Sequence, residues 1–353
     1  YDMNQAEHLG NLKKDLLMLR NLTIIDTAQK EIERRTGKKI PLWTEEILND
    51  KKALEMIAAG DTNGVFQLES DGMKRFMRQL QPDCFEDIIA GVALYRPGPM
   101  DYIPDYIRNK HNPSGIKYAA PELKPILEST YGIIVYQEQV MLIVQAIAGF
   151  STGRADLVRK AMGKKKQDIM QQEGIHFVYG DEELGIEGCI NHGIKKTVAE
   201  DLWSQMEDFG KYAFNKSHGA AYAVICMQTA WLAYYYPVLF MKANLNVYIT
   251  NPDKLKMYLA FCSKNEIKML EPSVNESEEY FSLNSDGTAI RFGLKGVKGL
   301  DKISKSIITE RKKGKFTSLE NFISRMIKNQ KISSGNLEAL IYVGALDEFE
   351  GTR

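Results

Sequence analysis

Apolar residues recur along most of this chain at helical spacing. Met73, Phe76, Met77 and Leu80 fall at i, i+3, i+4 and i+7, which sets them on one helix face, and Pro82 follows the end of the run. Ser70 stands where an N-cap belongs. Phe85, Ile88, Ile89 and Val92 repeat the spacing. The run Arg96-Pro97-Gly98-Pro99 interrupts it, because neither proline can donate an amide hydrogen to a helix. Further helices are predicted over 137–148, from a Ser151 cap to about Gly163, over 197–210 and over about 218–235. Beyond about residue 245 the pattern changes. Residues 280–283 and 289–294 read as short strands, the second with Ile290, Phe292 and Leu294 alternating with Arg291 and Gly293. Asp286-Gly287 between them signals a hairpin, since glycine accepts a positive φ. Two more helices are expected around 302–313 and 335–343. The whole predicts a mainly α chain with a small α+β C-terminal part, with boundaries near residues 20 and 268.

One stretch invites a different reading. From Gly219 to Met241 the chain is almost entirely apolar and long enough to suggest a membrane span. It also carries Gln228, Thr229 and Pro237 and the run Tyr234-Tyr235-Tyr236. A buried core helix tolerates these groups where partners exist, and that is the expectation.

Composition narrows the picture little. The 353 residues, 26% of them charged, suit a soluble globular chain of roughly two to three domains. Net charge is zero, so total charge points to no partner, but the cations are clustered. Six basic residues and one acid lie between Arg154 and Lys166, and eleven basic residues and three acids between Lys295 and Lys331. Such clusters attract phosphate, although solvated helix faces also carry them. The cysteines at 84, 189, 226 and 262 show neither metal-site spacing nor a dense disulfide framework, which suggests a reduced cytoplasmic setting. No signal peptide is visible, and a start at Tyr1 suggests a piece of a longer protein.

Four short segments could carry chemistry. In Lys13-Lys14-Asp15, a strand would turn Lys13 and Asp15 to one face, a pairing suited to a divalent ion and a triphosphate. Arg159-Lys160 on a helix, followed by Lys164, Lys165 and Lys166 at or beyond its end, could grip a triphosphate or a DNA backbone; the bland alternative is cations complementing the helix dipole. Before the long apolar helix, Asn215 or Ser217 could act as cap, and the free amides with Lys216 would favour an anion. His218 shows no partner that would make it a base. Lys298-Gly299-Leu300-Asp301, with Lys302 beyond, could form a hairpin between two short helices that meets a DNA phosphate, although Asp301 is an unhelpful charge there.

Several longer runs occur in one order: GVFQLES at 64–70, LQPDCFEDIIAGVALYRPGPM at 80–100, YGIIVYQEQVM at 131–141, RKAMGKKK at 159–166, FNKSHGAAYA at 214–223, IRFGLKGVKG at 290–299 and LEALIYVGALDEF at 337–349. In these runs, which extend over nearly the whole chain, the sequence resembles the alpha subunits of bacterial DNA polymerase III, the C-family replicative polymerases of the DnaE type. The resemblance implies the end of a polymerase-beta-like palm over 1–20, a helical fingers domain over 21–268, and from 269 to 353 the start of a clamp-binding domain containing a helix-hairpin-helix. It implies template-directed nucleotidyl transfer from a dNTP to a primer 3′-hydroxyl with two Mg²⁺ ions held by three aspartates. Asp15 matches the third of these as catalytic metal ligand, and Lys13 matches a lysine that meets the triphosphate. Lys14 and Met18 depart from the family's usual Phe and Gly. Arg159 and Lys160 match fingers cations that bind the nucleotide, the second commonly arginine. Lys216, Ser217 and His218 fall in a run lining the nucleotide side, and Arg96 in a loop of mainly structural role. Lys164, Lys165, Lys166, Lys298 and Lys302 are the expected DNA contacts. Primer-template DNA, dNTPs, and a sliding clamp and clamp-loader components reached mostly through regions outside this chain are the implied partners. The isolated chain is expected to be inactive, lacking two of the three acids. A non-catalytic DNA-binding or replisome-assembly module is the alternative from another class.

Overall fold

The computed structural model describes residues 2–12, 14, 18–163, 166–210, 214–327 and 332–349. In chain order the helices are α1 Met3–His8, α2 Arg20–Thr36, α3 Glu45–Leu48, α4 Lys51–Ala58, α5 Asp71–Leu80, α6 Phe85–Leu94, α7 Ile103–His111, α8 Lys124–Leu127, α9 Gln137–Ala148 and α10 Thr152–Gly163. There follow α11 Gln167–Tyr179, α12 Lys196–Gly210, α13 Lys216–Tyr235, α14 Pro237–Val247 and α15 Pro252–Lys264. Strands β1 Lys268–Leu270, β2 Ser282–Leu283 and β3 Ala289–Arg291 precede α16 Ser304–Arg311, α17 Leu319–Ile327 and α18 Ser334–Tyr342. This is the mainly α architecture with a small α+β part that the pattern predicts. Two compact units divide the chain: Pro41–Tyr236, and Tyr1–Ile40 with Pro237–Arg353. The boundaries expected near residues 20 and 268 both fall inside the second of these.

In the 41–236 unit, α13 packs against α3, α4 and α6. Helix α6 is buried continuously from Asp87 to Leu94, as a central element must be. At Gly219 an added methyl would sit 3.0 Å from the Phe214 ring and 3.3 Å from Ile89, so a glycine lets α13 approach α6 closely. Helix α5 buries the predicted face, Met73, Phe76, Met77 and Leu80, and the Ser70 hydroxyl accepts from the Met73 amide at 3.3 Å. Each such side chain contributes about 1.5–3 kcal/mol by leaving water. A second bundle, α9 to α12, closes around Val144, Ile147, Phe150, Val158, Phe177 and Met206.

The apolar run at 219–241 is two helices. Tyr236, at φ −136 and ψ 53, leaves the helical region, and Pro237 opens α14. Among the described residues no helix is long and apolar enough to cross a membrane.

In the other unit α2 packs on α14, and α14 on α15. The sheet has order β1-β3-β2, with β1 parallel to β3 and β2 antiparallel to it, Leu283 opposite Ile290. Gly287 takes φ +79 in the predicted hairpin, and the Asp286 carboxylate accepts from the Thr288 amide at 2.9 Å. Strand 280–283 is shorter than expected because the Asn246 side chain takes both backbone groups of Phe281, accepting from its amide at 2.8 Å and donating to its carbonyl at 3.0 Å. β1 and α17 were not foreseen. A separate core of Val274, Leu300, Ile307, Phe322, Met326, Leu340 and Leu346 underlies α16 to α18.

Candidate functional site

Helix α10 carries the first cation pair. Arg159 presents one edge of its guanidinium to Asp156: Nε and Nη2 both donate to Oδ1, at 2.8 and 2.7 Å. Lys160 Nζ donates to the other oxygen, Oδ2, at 2.7 Å. Spacings of three and four residues put all three side chains on one helix face. Hydrogen bonds from Lys160 and then Arg159 hold the Asp156 carboxyl below the usual carboxylate range. Beside them opens a cleft of about 340 Å³ lined by Gly153, Asp156, Leu157, Lys160, Ala161, Lys166 and Ile169. Lys166 is exposed and its amide donates to the Ala161 carbonyl at 3.0 Å, which folds the chain from α10 into α11. Lys164 and Lys165 lie outside the described residues.

One turn earlier, Arg154 fixes α10 to α11. Its Nε and Nη2 make a fork to both oxygens of Glu173, at 2.9 and 2.6 Å, and Nη2 lies 3.2 Å from His176 Nδ1. Glu173 is 2% exposed, so this bidentate pair is a desolvated anchor rather than a surface contact.

The second cluster gathers at the start of α13. Asn215 is the cap: its Oδ1 accepts from the His218 amide at 2.9 Å. The anion expected at this helix start is the chain's own Glu138, whose carboxylate accepts from the Lys216 amide at 3.1 and 3.0 Å and from Asn215 Nδ2 at 2.9 Å. Lys216 Nζ lies 3.0 Å from Glu86 Oε2 and 5.4 Å from the centre of the Tyr136 ring. A parallel bridge between Tyr136 and Phe214 joins the starts of α9 and α13. Ser217 and His218 are exposed. The His218 ring stands 4.3 Å from Tyr222 and 5.4 Å from Phe214, and Arg96 lies 3.9 Å over the Phe214 ring, so aromatic contacts hold this imidazole. No hydrogen bond or ion pair among the described residues joins the α10 cations to the start of α13.

Lys298 and Lys302 are exposed on the loop ahead of α16, with Gly299 at φ +92. Lys302 lines a cleft of about 390 Å³ with Gly299, Asp301, Ile303, Ser306 and Asn336. Asn336 Nδ2 donates to the Gly299 carbonyl at 2.7 Å, tying this loop to α18, and Lys295 stands 3.5 Å from Asp301. Asp15 and Lys13 lie outside the described residues. One group among the described residues, Asp83, Cys84 and Asp87, has metal-like proximity, but Lys110 Nζ lies 2.9 and 2.7 Å from the two carboxylates and supplies the positive charge itself. Burial pushes the thiols of Cys189 and Cys262 up to about 12 and about 11, so neither is a thiolate near neutrality.

Sequence reasoning overlooked Asp156, Glu86 and Glu138. Asp156 was visible at helical spacing from Arg159 and Lys160. Glu138 stands 77 residues from Asn215, and nothing local announces that contact.

The chain is thus a mainly helical protein with paired cations on α10 and an exposed lysine-bearing loop ahead of α16. Residues 21–185 match the family described as the bacterial DNA polymerase III alpha subunit finger domain, and residues 266–353 match the helix-hairpin-helix motif. The chain is 43% identical over 359 residues to the DNA polymerase III subunit alpha of Campylobacter jejuni, a match covering 100% of this chain and 29% of the relative. It is 40% identical over 354 residues to that of Bacillus subtilis (100% and 31%) and 42% identical over 356 residues to that of Thermus aquaticus (99% and 28%). Over its whole length the chain is similar to a segment of the DNA polymerase III alpha subunits, and it spans about three tenths of the length of these curated relatives.

Proposed function

We propose that this chain is the nucleotide- and DNA-binding portion of a template-directed DNA polymerase, with the palm ending over 1–20, fingers over 21–268 and the clamp-binding region beginning at 269. Arg159 and Lys160 meet the triphosphate of the incoming dNTP, with Lys216, Ser217 and His218 on the same substrate. Lys164, Lys165, Lys166, Lys298 and Lys302 follow the DNA backbone. The observation that carries this reading is the α10 pair: two cations on one carboxylate, at a solvent-open cleft that Lys160 shares with Lys166. Charge of this kind stabilises a leaving pyrophosphate as it develops negative charge. Asp15 and Lys13 complete the proposed site in the intact enzyme. Two Mg²⁺ ions there would activate the primer hydroxyl and neutralise the leaving group. A sliding clamp and clamp-loader components are the proposed protein partners, and the cytoplasm is the proposed setting.

The test is Arg159→Ala in the full-length polymerase. Loss of a charge-assisted contact lowers kcat/KM for dNTP by about 10- to 100-fold. Unchanged single-nucleotide incorporation kinetics would refute the assignment. A non-catalytic DNA-binding module draws on the exposed Lys298 and Lys302 alone; it would leave incorporation indifferent to Arg159 and binding strongly dependent on salt.

A further inference from the structure

We propose that Asp156 is a positioning residue for nucleotide binding: it holds Arg159 and Lys160 so that the donors it leaves open converge on one phosphate group. This rests on the reading of Arg159 and Lys160 given above.

The argument is one of donor accounting. A guanidinium carries five N–H donors in a fixed plane. Asp156 occupies only the Nε–Nη2 edge, through a single oxygen, and Nη1 makes no hydrogen bond among the described residues. The end of the fork that binds phosphate in a bidentate manner therefore remains available, and the planar group cannot swing freely while its other edge is held. Lys160 spends one of its three donors on Oδ2, and its side chain is 63% exposed. Both cations touch the same carboxylate, so two groups that would otherwise repel are kept side by side. Asp156 belongs to the cleft wall together with Lys160 and Lys166. An anion itself, it acts on a phosphate only through the two cations it holds. It is also a natural counter-ion: its charge neutralises part of the pair until a more highly charged phosphate arrives.

The experiment uses the full-length polymerase on saturating primed template, with KM and kcat for a single dNTP. Asp156→Asn is expected to raise KM by about threefold to tenfold and to change kcat by less than about twofold, an effect the size expected from losing the ordering of two ion pairs. Asp156→Glu, which keeps the charge within reach, is expected to recover most of the loss. In an Arg159→Ala background, Asp156→Asn is expected to add little, because the main group it orients is gone. Thermal unfolding should shift by no more than a degree or two, since all three side chains are at least 31% exposed. If Arg159→Ala raises KM while Asp156→Asn leaves it unchanged or lowers it, the positioning role is wrong and the nucleotide reading survives. If Arg159→Ala itself is silent, the nucleotide reading fails and takes this proposal with it.

Discussion

The buried ion pair under α6 and α7 makes the sharpest stability prediction. Asp87 is 1% exposed and Lys110 6%, with Nζ to Oδ2 at 2.7 Å. The Tyr131 hydroxyl donates to Asp87 Oδ1 at 3.1 Å, and the Asp83 amide to Oδ2 at 3.2 Å. Burial alone would depress the Lys110 ammonium; its hydrogen bonds to Asp87 and Asp83 outweigh that and push its pKa up. Lys110→Met keeps the aliphatic stem and removes only the charge, which leaves a carboxylate buried with two neutral donors. The cost expected for an uncompensated buried charge is about 3–5 kcal/mol. For a unit the size of 41–236, that lowers Tm by roughly 6–20 °C. The companion Lys110→Met with Asp87→Leu removes both charges and should recover most of the loss, since hydrophobic replacement of a whole buried pair is often neutral. The sign with pH follows from the raised lysine. Its contribution is complete below the ordinary 10.5 and fades as pH climbs beyond it. Circular dichroism melts of the 353-residue chain and both variants at pH 7, and at a pH above about 11 for the pH dependence, measure all of this. A Lys110→Met shift under about 2 °C would refute the claim that this ion pair between α6 and α7 is desolvated and essential to stability.

Two further expectations rest on neighbouring observations. Glu138→Ala removes the acceptor for the Lys216 amide and for Asn215 Nδ2, and should destabilise the α13 start by about 1–3 kcal/mol; faster amide hydrogen exchange at Lys216 is the readout, and unaltered protection there would contradict it. Glu31 is held at about 2 instead of 4.5, chiefly by a hydrogen bond from Arg34, against the cost of burial and with help from Arg35 and the charge of Lys242. Its lowered pKa gives stability that is present above pH 4.5 and lost as pH falls toward about 2. Urea unfolding between those limits should therefore show a shallower pH dependence in Glu31→Gln than in the parent chain, and parallel curves would sink the idea.

What could be read from the chain, and what could not, divides by distance along it. Ser70, Ser151 and Asn215 announce helix starts because a cap and the amides it serves lie within three residues, and the structure places all three hydroxyl or amide oxygens on those amides. The α9 limits and the Asp286-Gly287 hairpin were legible for the same reason. Strand β2 was overestimated because the group that ends it, Asn246, comes from a helix 35 residues away. The anion at the α13 start was sought in a ligand because the carboxylate that fills the place lies 77 residues upstream. Asp156 is the exception that sharpens the rule. It was local, one turn before Arg159, yet it was counted only as the lone acid in a basic cluster. Each cationic group considered for phosphate contact here that is seen pairing carries its own carboxylate: Asp156 for Arg159 and Lys160, Glu86 for Lys216. On the proposed nucleotide reading, these paired sites would exchange one counter-ion for a more highly charged one at fixed geometry. Binding to phosphate at these positions should then depend more on the precise placement of the carboxylates than on the number of cations, because a misplaced counter-ion leaves the charge total untouched and spoils the fit.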